Sequence, residues 1–444
     1  MNLTKDPINK LIVSLATPAA LAMLFNTIYN ATGTFFAAKI STSATAGLSM
    51  SFLLYLSVVG MGLGFGSALS ALIGNALGTN KLFLAKIYAQ KGAVFVLIFA
   101  IFMGSLGYAV APKFLVFLGA NEEFLTEALE YIRVIFVASP FFLSIKAFNG
   151  ILIALGDTKS LRNWLFFGVF INIGLCFIFV KMLNLGVASI AFSTAFVQFM
   201  GCIFLFKKTY KSGMINFENM RNFLPDIRIY KKILNQAFPA CLNYLSMSLG
   251  GLVLLKFISY YGTDAVAGYG VALRIEQLTT LPTIGIAAAV LSIVSRNHGA
   301  RKHDRVLLCY KNAIKILLLL FVFAAMFLIF VAPRVISFFD INDSATAIAK
   351  GYLLISAFSF LGYGVMNISG SVLQAVKKPK MVFVLNATRQ LILQSVAYST
   401  VIYVLKGTIE HIWIAMFINV YFTALCFACI SVYVLKRKMK GDGY

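Results

Sequence analysis

Apolar stretches of twenty or more residues recur along almost the whole of this 444-residue chain, and they restrict it to one environment. Each stretch is long enough to cross a hydrocarbon core of about 30 Å as an α-helix. About twelve can be counted, at residues 11–37, 46–76, 86–112, 127–155, 161–184, 186–206, 233–258, 265–295, 307–333, 344–376, 381–405 and 411–435. Only 12% of the residues are charged, and the alternating polarity of membrane β-strands is absent. The sequence therefore predicts an all-α integral membrane protein with twelve transmembrane helices.

The basic residues are unevenly shared between alternate loops. The chain carries 38 Lys and Arg against 15 Asp and Glu. If the N-terminus is cytoplasmic, most of the bases fall on the cytoplasmic side, and the opposite loops hold only Lys39, Lys113, Lys181, Arg334, Lys350 and Lys406. This is the positive-inside pattern, and it predicts a bacterial cytoplasmic (inner) membrane location with both termini in the cytoplasm. A nucleic-acid surface would need bases interleaved with aromatics on one solvated face, which the sequence lacks, so no nucleic-acid partner is expected.

The two halves of the chain repeat at a constant offset, the one that separates Pro18 from Pro239. Besides this pair of helix prolines, the matches fall on turn glycines and on loop lysines: Gly64 with Gly285, Gly78 with Gly299, Lys81 with Lys302, Lys159 with Lys380, and Gly186 with Gly407. A constant offset over several segments indicates an internal duplication. We therefore predict two pseudo-symmetric six-helix bundles, residues 1–206 and 233–444 with its short basic tail, joined by a basic cytoplasmic linker at 207–232.

An even number of crossings in each half means that both halves enter the membrane in the same direction. Parallel repeats of this kind commonly enclose a central cavity and alternate its access, which favours a transporter. A channel is the alternative, but channels commonly assemble identical subunits around a pore, whereas here the pseudo-symmetry is complete within one chain. For the same reason a monomer is expected, with membrane lipids and small organic substrates as its partners.

Five motifs resemble those of one transporter family. They are "GNALGTNKLFLAK", "FNGILIALGDTKS", "GYGVALRIEQLTTLPTIG", "NHGARKHDRV" and "SGSVLQAVKKPK". In order and spacing they resemble the multidrug and toxic compound extrusion (MATE) transporters, particularly the DinF-like branch, within the MOP flippase superfamily. The resemblance implies secondary active export of organic compounds, by antiport with inward-moving protons or sodium ions through alternating access.

The resemblance also implies a pocket in the N-terminal half, which this chain has altered. DinF-like members carry one aspartate in the first helix and one in the fifth, and here those positions hold Gly33 and Cys176. The asparagine and threonine of the pattern remain as Asn172 and Thr194, and Tyr131 is similar to a residue that lines this pocket. Sodium usually needs a carboxylate among its oxygen ligands, and proton coupling needs a group that titrates. We therefore expect no coupling ion in this half. Interhelical hydrogen bonding by Asn172 and Thr194 is the alternative to substrate contact.

Glu276 is the one acidic residue well inside an apolar segment. Intramembrane charges are costly and mark pathways or paired sites, so Glu276 is the candidate coupling group. In a helix it shares a face with Tyr269 and Thr280, whereas Arg274, two positions away, points to the other side and needs a different partner. The equivalents of positions 276 and 274 in the first half are Tyr55 and Leu53, so the repeat does not demand a charge at either place.

Bases outnumber acids inside the apolar segments. Lys146, Arg274 and Arg389 are the buried basic candidates for a substrate cavity, and Gln374 completes the predicted set. A salt bridge of Glu276 with Lys146 or Arg389 that merely fixes the structure is the alternative role for the acid. The excess of positive charge leaves open a second function, a flippase or exporter of anionic or lipid-linked substrates in the same superfamily.

An enzyme is not predicted. The three histidines, His298, His303 and His411, lie in or beside loops without metal-ligand spacing or a nucleophile and base. We therefore expect no metal and no cofactor, only a proton or sodium as coupling ion. The sequence leaves undetermined the substrate, the choice between these ions, the effect of the missing aspartates and the conformational state.

Overall fold

The computed structural model describes residues 1–117, 122–182, 186–217, 223–337, 339 and 341–439. Within these ranges the chain is helical and contains no strand. The α-helices are α1 (Ile8–Ile40), α2 (Thr42–Gly78), α3 (Leu82–Phe117), α4 (Glu122–Val137), α5 (Ser139–Ala154), α6 (Lys159–Phe177), α7 (Ala188–Lys211), α8 (Ile227–Ser259), α9 (Thr263–Gly299), α10 (His303–Met326), α11 (Ala332–Ile336), α12 (Asp343–Ala375), α13 (Pro379–Ala387), α14 (Gln394–Ser399) and α15 (Ile409–Met439). Turns of π-helix extend or join them at Ile178–Met182, Phe327–Val331, Thr388–Leu393 and Thr400–Val404.

These elements form twelve apolar crossings, as predicted. Within the described residues, ten helical runs are each long and apolar enough to span a membrane. The eleventh span is the pair α4 and α5, which is bent by 50° at the break between them. The twelfth is the run from Pro379 to Val404, which π-turns divide into short α-helices without interrupting it. The chain is an integral membrane protein.

The predicted repeat is visible in the backbone. Helix α9 begins and ends at the repeat equivalents of the first and last residues of α2, and α10 and α15 begin at the equivalents of the first residues of α3 and α7. The turn after α2 has Asn80 at φ 57°, and the turn after α9 has Arg301 at φ 58°. In both turns the next residue's N–H, in Lys81 and Lys302, donates back to the helix end, to the carbonyls of Ala76 and Asn297. The left-handed residue and this bond end a helix by the same motif in both halves.

The chain forms two compact units that divide helices α1 and α8 between them. One unit comprises Leu21–Leu245, and the other comprises Met1–Ala20 together with Ser246–Tyr444. The first part of α1 thus belongs with the C-terminal helices, and the first half of α8 belongs with the N-terminal ones. The predicted division by repeat, at 1–206, 207–232 and 233–444, places these segments differently and stays a prediction about how the chain was duplicated.

Two glycines explain where these divided segments pack. In the unit Leu21–Leu245, a methyl group on Gly64 of α2 would collide with Cys241 of α8. In the other unit, a methyl group on Gly285 of α9 would collide with Ala16 and Ala20 of α1. Gly64 and Gly285 are repeat equivalents, as are Ala20 and Cys241. Close approach of helix backbones at small residues therefore fixes both divided segments in the same way.

Candidate functional site

Glu276 lies inside the C-terminal unit, where two hydroxyl groups hold its carboxyl group. The residue is 7% exposed and is the only acid among the described residues that is buried to this degree. The hydroxyl of Tyr352 donates to Oε2 at 2.6 Å, and that of Ser356 donates to Oε1 at 2.5 Å. Both donors belong to α12 and stand one turn apart, so one face of α12 supplies both hydrogen bonds.

Aromatic rings enclose this carboxyl group. Tyr269, which shares a face of α9 with Glu276 as predicted, stacks on Trp413 at 5.9 Å between ring centroids and meets Tyr352 edge-on at 5.1 Å. Trp413 also meets Tyr352 edge-on at 4.9 Å. All three rings are buried. The rings therefore shield the carboxyl group, and the two hydroxyls replace part of its hydration.

No described basic side chain of its own unit neutralises Glu276. Among the described residues, the ion pair within 4 Å joins Lys91 and Asp226, far from this site in sequence. Arg389 directs its guanidinium over the ring of Tyr363 instead, at 5.6 Å. Lys146, the other predicted partner, belongs to the unit Leu21–Leu245. The alternative of a Glu276–Arg389 salt bridge is therefore wrong in this structure.

Three other predicted residues lie outside this enclosure. Arg274 is exposed on α9, on the side away from buried Glu276, as the two-residue spacing predicts. Thr280 is half-buried one turn beyond Glu276, and its hydroxyl donates to the carbonyl of Gln277 at 2.9 Å. Gln374 is buried near the end of α12, about five turns beyond Ser356. Of the predicted residues of this unit, the structure thus joins only Tyr269 to Glu276.

In the unit Leu21–Leu245, helix α1 meets α7 at the predicted N-terminal pocket. The hydroxyl of Tyr29 donates to the carbonyl of Thr194 at 3.2 Å, and both residues are buried. One turn along, a methyl group on Gly33 would lie 3.3 Å from Cγ2 of Ile190. A side chain at position 33 would therefore press on Ile190 of α7.

The remaining polar residues of that pocket stand on α6. Cys176 is fully buried, and its thiol lies 3.9 Å from Oδ1 of Asn172. Asn172 is 1% exposed, and its Nδ2 has no hydrogen-bond partner. A buried amide nitrogen without an acceptor is costly, which makes Asn172 a donor available to a bound molecule.

Tyr131 and Lys146 are buried in the same unit, and both lie against α2. The ring of Tyr131 lies 6.5 Å from that of Tyr55 between centroids. Lys146 is 8% exposed, and its stem fills the space above Gly62, where a methyl group would approach Cγ of Lys146 to 2.9 Å. The backbone carbonyl of Lys146 also closes on Gly66. Lys146 therefore occupies its place because two glycines of α2 leave room for it.

The repeat relates these contacts to those of the other unit. Positions 55 and 131 correspond to 276 and 352, so a pair of tyrosines in one unit stands where Glu276 and Tyr352 share a hydrogen bond in the other. Positions 62 and 146 correspond to 283 and 367. There Nδ2 of Asn367 donates to the hydroxyl of Thr283 at 3.2 Å. At both pairs of positions the unit Leu21–Leu245 thus has packing contacts, and the other unit has side-chain hydrogen bonds.

Sequence reasoning missed the residues that hold Glu276. Tyr352, Ser356 and Trp413 were not predicted, and neither was Tyr29 in the other unit. The repeat carried a signal for one of them, because Tyr352 is the equivalent of the predicted Tyr131. Ser356 and Trp413 give no such signal, since an isolated serine or tryptophan in an apolar helix is commonplace in packing.

Comparison with known proteins identifies relatives over the whole chain. The family profile MatE matches residues 18–178 and again 239–399, so its two matches begin at the repeat equivalents Pro18 and Pro239. The multidrug export protein MepA of Staphylococcus aureus is 25% identical over 450 residues, covering 99% of this chain and 96% of that protein. An FAD transporter of Shewanella oneidensis is 21% identical over 401 residues, covering 88% of this chain and 87% of that protein. A crystal structure of MATE in complex with MaL6 superposes with a TM-score of 0.92 at 23% identity, covering 99% of both chains, which shows the same fold.

Proposed function

The chain belongs to the MATE family, and from this premise we propose that it is a secondary active transporter that exports organic compounds by antiport through alternating access. Members of the family are transporters, not enzymes. A multidrug substrate range is supported by the similarity to MepA, whose name describes multidrug export. The buried charges that the fold retains in its apolar helices support a transport role for the interior of both units.

We propose that Glu276 is the coupling group and that the ion is a proton. The observation that carries this proposal is the carboxyl group held by Tyr352 and Ser356 with no described base of its unit beside it. One carboxyl suffices to bind and release a proton, and hydroxyls can reorient to donate to a carboxylate or accept from a carboxylic acid. Sodium would need more oxygen ligands than one carboxylate and two hydroxyls that already share hydrogen bonds.

The N-terminal pocket is proposed to contact substrate and to hold no coupling ion. Gly33 and Cys176 occupy the positions at which the family resemblance places acids, and Ile190 fills the space next to Gly33. The unpaired Nδ2 of Asn172 favours a hydrogen bond to cargo. Tyr131 and Thr194 are proposed as its neighbours in that role.

The proposed setting is the cytoplasmic membrane of a bacterium. The uneven distribution of bases favours cytoplasmic termini. The partners are membrane lipids and small organic molecules, no nucleic acid is involved, and the transporter acts as a monomer because each chain carries both units.

A second candidate is an exporter or flippase of anionic or lipid-linked compounds. Lys146 and Arg389 favour it, because each is at least nine-tenths buried and neither has an acidic partner within 4 Å among the described residues. The similarity to a protein named FAD transporter is in keeping with anionic cargo. The two candidates differ in substrate charge and share the same coupling group.

The test is transport by purified protein in liposomes, with a pH gradient and a sodium gradient imposed separately. Efflux of a cationic dye such as ethidium is compared between the wild-type protein and Glu276→Gln, which keeps the shape of the side chain but cannot titrate. Glu410→Gln, a change at an exposed acid at the start of α15, is the matched control. We expect dye efflux driven by the pH gradient in the wild type and the control, and none in Glu276→Gln.

Other outcomes separate the candidates. Wild-type, proton-driven efflux in Glu276→Gln contradicts the coupling role. Efflux driven by sodium alone contradicts the choice of ion. Movement of an anionic dye such as carboxyfluorescein, and none of ethidium, favours the second candidate.

A further inference from the structure

Arg389 carries a buried positive charge that no described acid of its unit neutralises within 4 Å. It lies in the π-helical turn Thr388–Leu393 and is 7% exposed. Its guanidinium lies over the ring of Tyr363, and its Nε has no hydrogen-bond partner. Turns of this kind are frequent at functional sites, and the one at Arg389 is one of four among the described residues. A buried guanidinium without a carboxylate is costly, so the fold retains it for a reason other than stability.

Further polar groups converge near this arginine. The side chains of Gln394 and Tyr398 stand close enough to interact with each other, whereas Nε of Arg389 has no hydrogen-bond partner. Gln394, Tyr398 and Gln390, the residue after Arg389, are all buried. A buried polar atom without a partner has lost its hydration and gained nothing in return. The unpaired Nε of Arg389, with these polar side chains beside it, indicates a place suited to a polar ligand that accepts hydrogen bonds.

The arrangement is specific in its charge and in its donors. The guanidinium offers N–H groups in a planar fork, which matches a carboxylate. Tyr398 can add a hydroxyl donor, and Nε2 of Gln394, which donates one N–H to the carbonyl of Gly250, keeps a second N–H. No second base accompanies Arg389 among the hydrogen bonds and ring contacts of the described residues. One uncompensated positive charge is balanced by one negative charge, so a monoanion fits better than a phosphate dianion.

We propose that Arg389, with Tyr398 and Gln394, binds the carboxylate of a monoanionic organic compound inside the C-terminal unit. Binding of the anion does not depend on the proposed function. Only the further step, that the bound anion is transported as cargo, rests on it. The same carboxylate chemistry can come from a free metabolite-sized acid or from the carboxyl group of a larger amphiphilic substrate. Tyr363 and Tyr398 place aromatic rings beside the charged group, so an aromatic acid is chosen as the probe.

Helix α12 connects this site with Glu276. Tyr363 follows Ser356 by about two turns on the same helix, and Tyr352 and Ser356 hold the carboxyl group of Glu276. One helix thus contacts both the single buried acid and the single buried arginine of this unit among the described residues. A monoanion bound at Arg389 would stand beside the same helix as the proposed proton site, so proton and anion would affect each other's binding.

Binding is tested on the whole purified transporter in detergent, without any ion gradient. Benzoate is the probe, and its neutral methyl ester is the control compound. Isothermal titration should show saturable binding of benzoate and none of the ester. In Arg389→Gln the dissociation constant should rise at least about tenfold, because a charge-assisted hydrogen bond to a buried ion is lost. Lys256→Gln, which removes an exposed base at the end of α8 in the same unit, should leave the constant within about twofold.

A second variant keeps the binding test decisive if Arg389→Gln fails to fold. Arg389→Lys keeps the charge but loses the planar fork, so it should bind benzoate more weakly than the wild type and more tightly than Arg389→Gln. Absence of saturable benzoate binding by the wild-type protein, or equal binding by Arg389→Gln, overturns the proposal. Such a failure would leave dye export in liposomes intact, whereas a failure of dye export would leave the binding result unchanged.

The source of the carboxylate is distinguished by a second pair of measurements. Acetate is titrated in place of benzoate, and uptake of radiolabelled benzoate is followed in the liposomes with the pH gradient. Binding of acetate with similar affinity supports a small free acid as the natural ligand. Preference for benzoate together with its transport supports a carboxylate-bearing substrate.

Discussion

A single methyl group placed at Gly250 should destabilise the C-terminal unit, although glycine is a poor helix residue. Gly250 lies in α8, and a Cβ atom built there would collide with Gln390 in the π-turn that carries Arg389. The collision involves Cβ and Cδ of Gln390, both at 2.7 Å, as well as the end of its side chain. A rotation of the amide alone cannot relieve contacts with Cβ, so the backbone of the π-turn or of α8 must move.

The magnitude follows from two opposing contributions. Alanine is favoured over glycine in a helix interior by about 1 kcal/mol. Forcing an extra methyl group into a tightly packed contact costs about 1–3 kcal/mol. The hydrogen bond from Nε2 of Gln394 to the carbonyl of Gly250, 3.4 Å long, is also disturbed. We expect Gly250→Ala to lower the free energy of unfolding by a net amount of up to about 2 kcal/mol.

The adjacent residue provides the matched control. Gly251 has nothing within 4 Å of a Cβ position, so Gly251→Ala gains the helix propensity without a collision. Thermal denaturation in one detergent, followed by loss of the monodisperse peak in size-exclusion chromatography, should place Gly250→Ala below the wild type and Gly251→Ala at or above it. A Gly250→Ala variant that melts at or above the wild type would refute the argument, because the π-turn would then not be packed as described.

Two further predictions concern segments outside the apolar helices. Nδ2 of Asn297 donates to the carbonyl of Leu3 at 2.9 Å, and its Oδ1 accepts from Nε of Arg305 at 3.2 Å. Asn297→Ala should therefore release residues 1–7 and speed their amide hydrogen exchange by about tenfold or more. Lys91 donates to the carbonyl of Leu224 at 2.7 Å, so Lys91→Met should make the segment 223–226 more sensitive to limited proteolysis, and Lys86→Met, earlier in the same helix, should not. Unchanged hydrogen exchange in Asn297→Ala would contradict the role of the Asn297–Leu3 hydrogen bond, and unchanged cleavage in Lys91→Met would contradict that of the Lys91–Leu224 hydrogen bond.

The membrane spans, the repeat and the single buried acid could be predicted from the sequence. Spans follow from hydropathy because lipid forces every backbone polar group to be paired within its own helix. The repeat follows from matched turn residues, and the structure places Asn80 and Arg301 in the same left-handed conformation. The importance of Glu276 could be predicted because a charged side chain in an apolar helix costs free energy, so such an acid is retained only for a partner or a function.

The assignment of α1 and α8 to units, and the partners of the buried charges, could not be predicted. Both depend on which helix faces meet, and helices with small residues on several faces leave that choice open. Gly64 and Gly285 matched in the sequence, but only the packing shows that each receives the divided helix of its unit. Arg389 was a candidate partner for Glu276, but its guanidinium lies over the ring of Tyr363 instead. Arg389 stands in a π-turn, and no local pattern in the sequence predicts that turn.

The contact between positions 62 and 146 tests whether the two units are interchangeable in packing. Its repeat equivalent is the hydrogen bond between Thr283 and Asn367. Gly62→Thr alone should destabilise the protein by about 1–3 kcal/mol, because the new Cβ collides with the stem of Lys146. Lys146→Asn removes that stem, and the double variant can form the threonine–asparagine bond of the other unit.

A double-mutant cycle on thermal stability should therefore give a favourable coupling of about 0.5–3 kcal/mol between the two changes. Additive effects would mean that the repeat preserves helix position but not side-chain geometry at this contact. Transport separates packing from function in the same proteins. If Lys146 contacts cargo, as the second candidate function would require, the double variant regains stability and still fails to transport. If Lys146 only fills the space above Gly62, stability and dye efflux return together, because the threonine–asparagine pair fills that space equally well.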